Sequence, residues 1–168
     1  RQLLVQAGEG AGLLSPGDAV VTGFSGTLPP PDGLPDGADP LDYTFIDPDG
    51  ASMQVQRFLP AGPPAGQLID APALVTAPAR DVGQVFAVTL DDAQAPNIYL
   101  GATSSFGIHV VAPGDDGTPR HVKQGMPGAQ FMQGQWGTDK GGAPGSIYRM
   151  DGTTGEITLF STIGSNAG

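Results

Sequence analysis

Residues Gly145 to Thr162 read Gly-Ser-Ile-Tyr-Arg-Met-Asp-Gly-Thr-Thr-Gly-Glu-Ile-Thr-Leu-Phe-Ser-Thr. Two short runs rich in β-branched and aromatic side chains, Ile147 to Met150 and Glu156 to Ser161, flank Asp151-Gly152-Thr153-Thr154-Gly155. Glycine supplies the positive φ that a tight turn needs, so the stretch predicts a β-hairpin. A lone hairpin is marginal in water and must set its apolar side against other strands. The fold is decided by which earlier segments supply them.

The best partners are Gly83 to Asp92 and Asn97 to Thr103, joined by a turn at Ala93 to Pro96. Their near-continuous apolar runs suit strands covered on both faces. Further upstream, Ala19 to Ser25 reads as a strand introduced by Ser15-Pro16-Gly17-Asp18. Tyr43 to Ile46 and Met53 to Leu59 flank Asp47-Pro48-Asp49-Gly50 and predict a second hairpin. Both hairpins put an Asp at the end of the first strand and a Phe near the end of the second, which suggests an internal repeat. Between Leu28 and Pro40 lie five prolines, and proline lacks the donor a central strand needs.

Length and composition bound the rest. A chain of 168 residues can bury one modest core. Its 27 glycines and 17 prolines reach the range where disorder competes with folding, but they fall between the apolar runs as turns, so a folded β protein with long loops is expected. Seventeen acidic against seven basic residues give a net charge of −10. The basic residues form no run, so the surface repels phosphate backbones and anionic lipids, and nucleic acid is not an expected partner. No run of about 18 apolar residues is present, so no membrane span is expected. The absence of cysteine removes disulfides and thiolate metal sites. The acidic, lysine-poor, cysteine-free composition points to an exported bacterial protein, extracellular or periplasmic.

Four strands in order, Val85 to Leu90 closing in Asp91-Asp92, Asn97 to Thr103, Ser146 to Asp151 and Glu156 to Ser161, resemble one blade of a β-propeller, a four-stranded antiparallel meander. The closest likeness is to the NHL-like and gluconolactonase-like propellers, and it covers about half the chain. The resemblance implies an all-β fold with one blade over residues 84–163, interrupted by an inserted loop at 104–144. An arm (1–18), the N-terminal strands and hairpin of a second blade (19–59), a Pro/Ala connector (60–83) and a truncated connection toward a next blade (164–168) make up the remainder. A blade has two apolar faces that only neighbouring blades cover, so the expected partner is the remainder of the same protein or another chain that completes the ring. By the same resemblance, Asp91 and Asp92 at an inner-strand end would face a central channel where gluconolactonase-like propellers hold a divalent ion.

The insertion carries both histidines and the only tryptophan. Loops of that length tend to be functional, so His109, His121 and Trp136 are the candidate ligand-binding residues. The histidines are twelve positions apart and lack the His-x-His or His-x-x-x-His spacing of a zinc site. His109, inside Ile108-His109-Val110-Val111, fits a solvent-facing strand residue better than a ligand, and Trp136 fits a plug for the loop's own small core better than a stacking platform. Asp115 and Asp116, in Gly114-Asp115-Asp116-Gly117, offer oxygen ligands and join Asp91 and Asp92 as candidate metal residues. Calcium is the candidate cofactor, although the twelve-residue alternating pattern of a helix-loop-helix site is missing. Nucleophilic catalysis has little to stand on, because Ser25 misses the Gly-x-Ser-x-Gly spacing and cysteine is absent. A propeller-type binding or structural module is expected. A metal-dependent lactonase-type hydrolase, with its site completed from outside this chain, and a structural subunit of an extracellular assembly are the alternatives.

Overall fold

A computed structural model describes residues 12–30, 32–34, 36–57, 72–103, 105, 109–115 and 117–164. The chain order is β1 (Asp18–Thr22), β2 (Thr27–Leu28), β3 (Phe45–Ile46), β4 (Ala51–Arg57), β5 (Ala73–Pro78), α1 (Ala79–Val82), β6 (Val85–Leu90) and β7 (Ile98–Ala102). There follow β8 (Val110–Pro113), β9 (Pro119–His121), β10 (Gln130–Phe131), β11 (Ser146–Met150) and β12 (Ile157–Thr162). The fold is mostly β, in several open antiparallel sheets.

The four segments expected to share a sheet do so, in the order β6-β7-β11-β12. The two halves meet where β7 pairs with β11, placing Ile98 opposite Met150 and Leu100 opposite Tyr148. Those four side chains share one face and are fully buried, while Tyr99, Ile147 and Arg149 alternate onto the other. The β11–β12 turn works as its residues require. One carboxylate oxygen of Asp151 accepts from the N–H groups of Thr153 and Thr154, each at 2.9 Å, and Gly155 takes the left-handed φ of 74°.

A second sheet, β1-β4-β5, lies against the first. Its inward residues Met53, Val55, Val75 and Ala77 pack with Val82, Val85, Ile98, Leu100, Tyr148 and Met150 in one core. Each large apolar side chain withdrawn from water there contributes roughly 1.5–3 kcal/mol. Two expectations change here. The hairpin over 43–59 does not form: Tyr43 ends a 3-10 turn, Pro40–Tyr43, which Asp39 caps by accepting from Leu41 N, and β3 pairs with β2. Strand β4 instead runs between β1 and β5, with Val55 opposite both Val20 and Val75. The stretch read as part of a Pro/Ala connector therefore contains a strand, β5. It tolerates Pro78 because it lies at the sheet's edge among the described residues, where a missing donor leaves no ladder bond unmade.

Residues 1–11 of the expected arm, 60–71 of the expected connector and 165–168 of the expected truncated connection lie outside the described residues. The arm's remaining part is packed: Leu13 belongs to the core and its N–H donates to the Gly152 carbonyl at 2.7 Å. The inserted segment is also more than a loop. It folds a three-stranded sheet of its own, β10-β8-β9, whose strands of two to four residues are too short to show a period in sequence.

Two buried polar side chains tie this insertion to the main body. Gln84 accepts from Ser25 N at 2.9 Å and donates to the Gly134 carbonyl and to Ser25 Oγ, each at 3.0 Å. Tyr148, at the centre of the core, donates its hydroxyl to the carbonyls of Trp136 and Gly137. That approach leaves no room beside Gly142, where an added Cβ would fall 1.8 Å from the Tyr148 hydroxyl.

Candidate functional site

The insertion's sheet brings its two histidines together. Antiparallel pairing of β8 with β9 sets Val111 opposite His121, and His109 stands just before β8, two residues from that pair. The rings lie 5.1 Å apart, centroid to centroid, at 55°. His121 also stacks flat on Phe45, at 5.0 Å and 10°, and its Nε2 is 2.9 Å from the Thr44 carbonyl oxygen. A carbonyl only accepts, so Nε2 carries a proton, which leaves Nδ1 as the nitrogen open to another partner. The neighbouring Arg120 donates to the Tyr43 hydroxyl and lies over that ring at 5.0 Å.

His109 is fixed through its backbone, its N–H donating to Gln135 Oε1 at 3.1 Å and its carbonyl accepting from Met132 N at 3.0 Å. Burial, and then the proximity of His121, hold its imidazole below the usual histidine pKa, which favours the neutral ring. Among the described residues its Nδ1 is buried without a hydrogen-bond partner, and so is Nε2 of Gln135, a fully buried residue. Unpaired buried polar atoms are costly, and two of them here belong to the very residues that one hydrogen bond joins.

Trp136 is 5% exposed, turns its edge to Phe131 at 4.3 Å, and donates Nε1–H to the Thr103 carbonyl at 3.0 Å. Its indole is thus engaged in the packing under the insertion, one residue along from Gln135.

The acidic candidates are dispersed. Asp91 closes the β6–β7 turn. Its carboxylate accepts from Asn97 Nδ2 at 2.6 Å, from Asn97 N at 2.9 Å and from Ala93 N at 3.3 Å, with the Tyr99 hydroxyl at 3.4 Å. These donors, Asn97 foremost, hold its pKa below the usual carboxylate range. Asp92 is exposed in the same turn, and Asp115 is exposed between β8 and β9. Asp116 lies outside the described residues. Among the described residues, no three His, Asp or Glu side chains gather in a way that could hold a metal ion.

One feature gave no signal in the sequence. A cleft of about 700 Å³ opens beside the edge strands of both sheets, lined by Thr76 of β5, Arg80 of α1, Lys140, Ile157 of β12, Asp49 and Glu156. Charges of both signs face it, and Arg80 pairs with Asp49 at its rim. These residues come from four separate stretches of chain, so only the stacking of the sheets assembles them.

The chain matches no family model, no curated protein and no solved structure. Among the described residues no helix is long and apolar enough to cross a membrane.

Proposed function

We propose that the protein is an exported, propeller-type binding or structural module. Its two stacked sheets would be neighbouring blades, in a ring completed by the rest of the same protein or by another chain. The observation that carries this reading is the path between the sheets. In a propeller the outer strand of one blade leads to the inner strand of the next. Here β5, the last strand of the first sheet, leads through α1 into β6, the first strand of the second, and β1 and β6 touch side by side. The open face of the second sheet adds support, since it presents Tyr99, Ile147 and Phe160, the last 59% exposed, where a further blade would lie. A lactonase-type role for Asp91 has less support, because backbone and side-chain donors already engage both its oxygens.

The test is an experimental structure of the protein isolated from its source with any chains that accompany it. The ring reading expects β1 and β6 to line a common central channel, with further sheets stacked on the Phe160 face. A finished two-sheet sandwich, monomeric and with β1 and β6 at its outer rim, would overturn it. Fractionation of the source cells tests export separately, and recovery from the cytoplasm would remove that part of the reading.

A further inference from the structure

Two histidines that the sequence holds twelve positions apart meet across the β8–β9 pairing, their rings at the spacing of two imidazoles that share one ion. We propose that His109 and His121 form a binding site for a divalent transition-metal ion of the zinc, copper or nickel class, ligated through Nδ1 of each ring. Such an ion lies about 2.0–2.1 Å from each imidazole nitrogen, which sets two rings around one tetrahedral centre roughly 5 Å apart, centre to centre. The rings stand at 5.1 Å.

Three further observations act together. Nδ1 of His109 is buried with no hydrogen-bond partner among the described residues, so a ligand there removes a cost instead of displacing a hydrogen bond. His121 donates Nε2–H to the Thr44 carbonyl and rests on Phe45, the outer contacts that orient a ligating imidazole and leave its other nitrogen as the donor atom. Gln135, fully buried, accepts the His109 N–H at Oε1 and so fixes the backbone from which that ring projects. Two imidazoles select the nitrogen-preferring ions over calcium or magnesium, which take oxygen ligands. This site is independent of the ring reading, since every residue in it belongs to this chain.

The chain contains two histidines in all, so nitrogen-resolved NMR of the imidazoles in the full chain, titrated with zinc, reads the site directly. Both Nδ1 resonances are expected to move together at one ion per chain, while the Nε2 proton of His121 persists. His121→Phe, which keeps a flat ring on Phe45, and His109→Phe are each expected to weaken zinc binding at least tenfold. No response up to about millimolar zinc, a response of one histidine alone, or responses at different zinc concentrations would each overturn the proposal. Should either variant lose its fold, the wild-type imidazole signals still decide the question.

Discussion

Gln84 holds three separated segments with one amide, and its removal tests how much the insertion depends on a single side chain. Gln84→Leu keeps the volume but strands the Gly134 carbonyl and the Ser25 N–H. Each unsatisfied buried group costs about 1–3 kcal/mol, so a loss of about 2–4 kcal/mol is expected, read as a lower urea midpoint. Asp18 is the residue to watch in acid. Its side chain is 1% exposed and grips Arg57 through two hydrogen bonds, at 2.9 and 3.1 Å. Chiefly for that reason its pKa falls below the ordinary 3.8, against the opposing effect of burial. A depressed carboxylate pKa means the unfolded chain binds the proton first, so this contribution is complete above the unfolded value and fades as pH drops below about 4. Melting temperature is therefore expected to fall between about pH 5 and pH 2.5 with a shallower slope in Asp18→Asn than in the parent.

At the scale of elements, the alternation along β4 and its neighbour makes a paired prediction. Val55 is fully buried and Val21, on the adjoining strand, is 44% exposed. Val55→Asp places an unpaired carboxylate in the core and is expected to abolish cooperative unfolding at 25 °C. Val21→Asp should cost under about 1 kcal/mol, and equal damage from both would mean the two faces have been misassigned. The same contrast explains what could be read from the chain alone. The β11–β12 hairpin was legible because strand, turn and strand are consecutive, and Asp151 and Gly155 perform the turn themselves. Strand β5 hides among prolines that only an edge position excuses. The first hairpin misled because Asp47-Pro48-Asp49-Gly50 is a sound turn sequence, yet tertiary pairing sends β3 to β2 and β4 to β1 and β5. The histidine pair was illegible for a related reason. Its register depends on two strands of four and three residues, and spacing along the chain says nothing about spacing across a ladder.

For the whole molecule, the unevenness of its two outer surfaces matters most. The second sheet's open face carries the rings of Phe160 and Tyr99 with Ile147, whereas the first sheet's carries Gln54 and Gln56 beside a single exposed valine, Val21. Purified chain is expected to bind a fluorescent apolar dye such as ANS, and Phe160→Lys should cut that signal at least twofold while the circular dichroism spectrum stays unchanged. Undiminished dye binding by a folded Phe160→Lys protein would place the sticky surface elsewhere. Self-association should also rise near the isoelectric point of about 4.2, where the net charge of −10 at neutral pH has gone and repulsion no longer keeps such faces apart.

The β7–β11 pairing has a kinetic consequence. Each half of the four-stranded sheet can zip up from a short local turn, but joining the halves requires the ends of a segment of about forty residues to find one another. Closing so long a loop costs roughly 2 kcal/mol more entropy than closing a five-residue turn. Prior assembly of β8, β9 and β10 shortens that search, and the Tyr148 phenol, reaching from β11 to the Trp136 and Gly137 carbonyls, latches the closure once it happens. The insertion thus sets the tempo at which the sheet is sewn together: two fast hairpins waiting on one slow seam.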